Sequence, residues 1–126
     1  MTVGILNHYT IRCSESGLEP LMLFYTQVLG LTVGARPKIP APGYWLYSNG
    51  QAIVHLYAIG ETKEISTGPL DHIAFSASDL DQMRKSLTTM GIPYEEAPVP
   101  DWPLHQVFLH DPAGLKVELT FSLDKQ

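Results

Sequence analysis

His8, His55, His72 and Glu118 are the residues whose types and spacing point to chemistry. Imidazole nitrogens with one carboxylate suit a borderline divalent ion (zinc, iron(II), manganese, cobalt or nickel) and not calcium. His8 and His55 lie 47 residues apart, and His72 and Glu118 lie 46 apart. Two pairs with nearly one separation suggest a single structural plan used twice. Taken singly, each of the four has the blander reading of a strand residue facing solvent. Matched positions in two halves shift the balance toward a shared metal site, with an open coordination position for water or substrate.

The repeat appears when the chain is laid over itself with a shift of 64 residues. Leu6-Asn7-His8 then falls on Leu70-Asp71-His72, and Gly50 on Gly114. His55 reaches Glu118 with a shift of 63. The proline-rich stretch Pro37, Pro40 and Pro42 has its counterpart in Pro98, Pro100 and Pro103.

Each half reads as the same series of elements. In the first, a strand over about Leu6 to Arg12 precedes a helix from Pro20 to Leu29. Pro20 suits the first turn of that helix, and Leu21, Phe24 and Val28 form its buried stripe. A strand near Leu31 to Ala35 leads to a hairpin of Tyr44–Ser48 and Ala52–Ala58 around Asn49-Gly50. In the second, a strand over Leu70–Ala77 precedes a helix capped by Ser78, with Leu80, Met83, Leu87 and Met90 on one face and Gly91 as its stop. An edge strand at Tyr94–Glu96 and a hairpin from His105 to Ser122, turning at Asp111–Gly114, complete it. Gly60 to Pro69 is a polar linker. The expectation is one α+β domain over 1–126 built from two paired βαβββ modules, about 5–60 and 69–122. Their curved mixed sheets enclose a cavity, and the helices cover the outer faces.

Strand parity assigns the four candidates a direction, because alternate residues face opposite sides of a sheet. Leu115, Val117, Leu119 and Phe121 form an apolar face, so Glu118 points the other way. Val54, Leu56 and Ala58 turn His55 away from the core, and Ile73, Phe75 and Ala77 do the same for His72. His8 lies opposite Tyr9 and Ile11. All four leave the helix-covered face, toward either solvent or a cavity.

Other residues have weaker claims. A four-residue turn at Asp111–Gly114 pairs His105 with Thr120, on the face of Glu118, as an acid or base beside the metal. A slip of one residue removes it. Tyr44, Trp45 and Trp102 can wall a substrate pocket or simply pack. Tyr25 reads as core, His110 as solvated, and Arg36 as a loop charge or a contact for an anionic substrate. Cys13 reads as a strand-end residue rather than a nucleophile.

Bulk properties exclude several classes. The chain has 126 residues, 44% of them hydrophobic and 17% charged, which is a globular composition. Its net charge of −5 and lack of a basic cluster argue against nucleic acid as a partner. No apolar run approaches the roughly 20 residues of a membrane span. A single cysteine and the lack of a signal-peptide pattern at Met1-Thr2-Val3-Gly4 make the cytoplasm the expected compartment.

Together Leu6-Asn7-His8, Phe24-Tyr25, Val28-Leu29-Gly30-Leu31, Leu70-Asp71-His72-Ile73-Ala74-Phe75, Asp111-Pro112-Ala113-Gly114 and Val117-Glu118-Leu119 resemble the vicinal oxygen chelate superfamily. That group contains glyoxalases, extradiol dioxygenases, fosfomycin-resistance transferases and bleomycin-resistance proteins. The resemblance covers about Leu6 to Phe121 and is specific for the superfamily, not for a member. It implies one divalent metal per site, with ligands from the first and last strands of each module: His8, His55, His72 and Glu118. Glyoxalase-type members usually have a carboxylate or Gln at the position of His55. The metal-free antibiotic-binding members lack this ligand set.

The resemblance implies a small substrate that chelates the metal through adjacent oxygens, with Glu118 serving as ligand and base in turn. A lyase or isomerase of glyoxalase type is the leading expectation. An extradiol iron(II) dioxygenase and a non-catalytic small-molecule binding protein are the alternatives. Small members of this superfamily often pair modules between two chains, so a homodimer is expected.

Overall fold

The computed structural model of the chain describes residues 1–59 and 67–124. Most of the expected linker, from Gly60 to residue 66, lies outside the described residues. The chain divides into two compact units, Met1–Glu64 and Ile65–Gln126.

The first unit contains β1 (Tyr9–Cys13), α1 (Glu15–Leu23), a π-helical turn (Phe24–Val28), β2 (Thr32–Gly34), β3 (Gly43–Ser48) and β4 (Gln51–Ala58). The second contains β5 (Ile73–Ala77), α2 (Leu80–Met90), β6 (Glu95–Pro98), β7 (Leu104–His110) and β8 (Lys116–Ser122). Both are βαβββ modules. Their sheets have the same order, β1-β4-β3-β2 and β5-β8-β7-β6, with the first and last strands parallel and the other neighbours antiparallel. Among the described residues no helix is long and apolar enough to cross a membrane.

The expected faces hold. Leu115 and, in β8, Val117, Leu119 and Phe121 are buried together with Val107 and Leu109 of β7. In the first unit Val54, Leu56 and Ala58 of β4 join Leu21, Phe24 and Tyr25 in the core. Each such side chain contributes roughly 1.5–3 kcal/mol of burial. Tyr25 is fully buried, its hydroxyl 3.0 Å from that of Tyr9. Burial of Cys13 raises its thiol pKa, which suits packing and not nucleophilic attack.

Several boundaries differ from the sequence expectation. Helix α1 starts five residues before Pro20, because the Ser14 hydroxyl accepts the Gly17 amide at 3.0 Å and caps it there. Pro20 thus lies inside the helix, where both it and Ser16 are exposed and water can take the carbonyl that proline leaves unbonded. The cap of α2 is Asp79 rather than Ser78: its carboxylate accepts the Gln82 amide at 3.2 Å. Strand β6 runs from Glu95 to Pro98, and ends with the proline on the sheet edge. Strands β1 and β5 begin at Tyr9 and Ile73, so His8 and His72 each sit one residue before a strand. Asn49 and Gly50 both take positive φ in the β3–β4 turn, at 51° and 77°.

Candidate metal centre

Parallel pairing fixes the positions of the four candidates. In the first module Tyr9 pairs with Val54 and Thr10 with His55. In the second, Ile73 pairs with Val117 and Ala74 with Glu118. His8 and His72 therefore hold equivalent positions in their own sheets, His8 diagonal to His55 and His72 diagonal to Glu118.

In the second module this diagonal closes. His72 Nε2 lies 3.1 Å from Glu118 Oε1, and Glu118 is buried. On the other side of the ring, Nδ1 lies 2.7 Å from Asp71 Oδ2. That hydrogen bond is the first cause of a lowered Asp71 pKa, followed by the charge of Lys116. An ionised Asp71 only accepts, so Nδ1 carries the hydrogen and donates it. On the other side Nε2 stands at 3.1 Å from a carboxylate oxygen, a separation that a proton or a metal ion can bridge. Glu118 Oε2 accepts from the Thr120 hydroxyl at 2.5 Å, which fixes the carboxylate and leaves Oε1 toward His72.

The first module repeats the outer part of this arrangement. His8 Nδ1 donates to Asn7 Oδ1 at 2.8 Å, leaving Nε2 with its lone pair, as Asp71 does for His72. The inner part differs. His55 is stacked between His8, at 3.8 Å and 14°, and Trp45, at 3.9 Å and 10°. Its Nε2 donates to the Ala52 carbonyl at 3.1 Å. Burial first, then the neighbouring His8, lowers its pKa and favours the neutral ring. Nearly parallel rings hold their lone pairs in nearly parallel planes, so His8 and His55 do not aim at one point.

The hairpin register moves His105. It pairs with Phe121, not Thr120, on the helix-covered face rather than the face of Glu118. The turn is one residue longer than expected because Asp111 draws Leu115 into it: its carboxylate accepts the Ala113 and Leu115 amides, both at 2.9 Å. His105 Nε2 instead meets Glu96 Oε1 at 2.7 Å, and Arg84 Nη2 reaches the same oxygen at 2.7 Å.

Trp45 and Phe108 occupy a further matched pair. Trp45 pairs with His55 and Phe108 with Glu118, and the Phe108 ring meets His72 edge-on at 6.5 Å. Trp45 lies in β3, the hairpin strand expected over Tyr44–Ser48. Trp102 is 67% exposed. The 63-residue offset that links His55 to Glu118 also links Trp45 to Phe108, so the sequence held this signal.

Among the described residues no group of three or more His, Cys, Asp or Glu could hold an ion. The donors within the second module nonetheless fit one. Two ligands each roughly 2.0–2.2 Å from a shared ion can stand about 3 Å apart, and His72 and Glu118 are 3.1 Å apart. Asp71 supplies the outer carboxylate that metal-bound histidines usually have.

The family model described as the Glyoxalase/Bleomycin resistance protein/Dioxygenase superfamily matches residues 5–119. The chain belongs to that superfamily. No curated protein matches it. Among solved structures, the fosfomycin resistance protein FosX from Listeria monocytogenes has a TM-score of 0.74 at 14% identity, over 96% of this chain and 95% of its own. A lactoylglutathione lyase from Agrobacterium tumefaciens has 0.71 at 20%, over 95% of each chain. TnmS3, an antibiotic-binding protein from Streptomyces sp. CB03234, has 0.70 at 18%, over 97% of this chain and 98% of its own. These three structures share the fold with this chain while their named roles differ.

Proposed function

We propose that this chain is a divalent-metal-dependent enzyme of glyoxalase type, a lyase or isomerase of a small substrate that chelates through adjacent oxygens. The observation that carries the reading is the His72–Glu118 contact, a ring nitrogen 3.1 Å from a carboxylate oxygen with Asp71 behind the ring. His8, expected from the sequence as a further donor, repeats the outer part of this arrangement in the first module, its Nδ1 donating to Asn7. His55 is held in a stack and tied to Ala52, so its role here is to brace His8.

An ion held by His72 and Glu118 would supply Lewis acidity toward two neighbouring substrate oxygens. The chain's residues do the rest. Glu118 takes a proton from substrate carbon on one oxygen and returns it to the neighbouring carbon, while Thr120 holds the other. Asp71 keeps the His72 ring in one orientation. Phe108 and Trp45 give the two pairs apolar neighbours.

The test is turnover after reconstitution with zinc, nickel, manganese, cobalt or iron(II). The methylglyoxal–glutathione hemithioacetal and a catechol under oxygen serve as probes. Metal-dependent isomerisation of the hemithioacetal, lost in Glu118→Gln, supports the proposal. Oxygen uptake with the catechol alone makes the chain a dioxygenase. Bleomycin binding without metal, and no turnover of either probe, makes it a binding protein.

A further inference from the structure

A cavity of about 320 Å³ opens within the first module, lined by Thr10, Arg36, Ile39, Trp45, His55 and Tyr57 among others. Arg36 is its one full-time cation. The guanidinium is anchored at one end, where Nη2 donates to the Ala41 carbonyl at 2.8 Å. Its Nε is buried and has no hydrogen-bond partner among the described residues. No carboxylate among the described residues pairs with Arg36. The other half-buried arginine, Arg84, holds both Asp81 and Glu96.

Room for the guanidinium is built into the strand beside it. A Cβ on Gly43 would stand 2.8 Å from Arg36 Nη2 and 2.1 Å from the Leu56 carbonyl. The Leu56 carbonyl confines residue 43 to glycine, and the missing side chain leaves the guanidinium its space beside the strand. Local charge agrees. Residues 1–60 carry three Lys and Arg against two Glu, whereas residues 61–126 carry five against eleven Asp and Glu. The pocket thus lies in the half of an acidic chain that does not repel anions.

A partly desolvated guanidinium with an unpaired Nε–H is costly to leave alone and strong toward an oxyanion. The walls beside it are flat and aromatic. We propose that this pocket is an anion subsite: Arg36 binds the carboxylate, or an equivalent oxyanion, of a substrate whose flat apolar body lies between Trp45 and Tyr57. In making the anion part of the substrate, this proposal rests on the metal-centred reading above. The binding of an anion at Arg36 does not.

The experiment uses metal-free protein, stripped with chelator and dialysed, carrying Trp102→Phe so that fluorescence reports Trp45. Benzoate and its uncharged counterpart benzamide are titrated in low-chloride buffer. Benzoate should change the fluorescence saturably, with benzamide at least about tenfold weaker. Arg36→Met should weaken benzoate by about 10- to 100-fold at an unchanged melting temperature, the loss expected for a hydrogen-bonded charge. Arg36→Lys should recover part of it. Equal binding of benzamide by the parent protein, which requires no arginine variant, overturns the subsite. So does unchanged benzoate binding by folded Arg36→Met. Because no metal is present, a failed titration leaves the metal reading standing, and a failed metal reading leaves the titration standing.

Discussion

His72 Nε2 faces Glu118 Oε1 at 3.1 Å, while Asp71 takes the hydrogen on the opposite ring nitrogen. The Thr120 hydroxyl donates to the second carboxylate oxygen, so Oε1 is the oxygen turned toward His72.

The first prediction concerns the residues behind the histidines. Asp71→Ala should weaken zinc affinity by about 10- to 100-fold without unfolding the protein. Asn7→Asp should strengthen it, because a carboxylate then supports His8 as Asp71 supports His72. Competition against a chromophoric chelator measures both, and equal affinities in all three proteins would contradict the assignment.

The second tests the two faces of β8 on neighbouring positions. Leu119→Ala removes a buried core side chain and should cost about 2–5 kcal/mol in urea unfolding. Glu118→Gln keeps the shape of its side chain and should change metal-free stability by less than about 1 kcal/mol. A large loss in Glu118→Gln would make Glu118 a structural carboxylate.

The third concerns pH. Hydrogen bonds first from Arg84 and then from His105 hold the Glu96 carboxyl below its usual pKa of 4.5. A folded pKa below the unfolded one means stability present above the unfolded pKa and lost as pH falls through the folded one. Glu96→Gln should therefore melt a few degrees below the parent near pH 6. The gap should close as pH falls below about 4. A gap that persists at pH 3 would mean that charge is not its source.

The fourth concerns assembly. Sedimentation at micromolar concentration should give twice the 14.0 kDa chain mass. A monomer at that concentration would reject the homodimer.

Much of this was legible in the sequence because strands alternate with period two and the chain repeats itself. Val117, Leu119 and Phe121 announced the buried face of β8, and the offset of 63 to 64 residues announced the two modules. What escaped was decided by single side-chain contacts. Asp111 lengthened a turn by one residue and carried His105 to the other face. Ser14 started a helix five residues early. The stack that holds His55 depends on cross-strand pairing with Trp45, which period and composition do not encode. The unpartnered Nε of Arg36 likewise becomes visible only when its surroundings are placed.

The central proposal is that a divalent ion binds at His72 and Glu118, with His8 as the further donor expected from the sequence, and metal content tests it most directly. The parent protein, Glu118→Gln and the triple variant His8→Ala/His72→Ala/Glu118→Gln are loaded with zinc, desalted and analysed by mass spectrometry. The account predicts about one ion per chain in the parent, a marked loss in Glu118→Gln and background in the triple variant, with all three folded. A triple variant that retains as much zinc as the parent would contradict it.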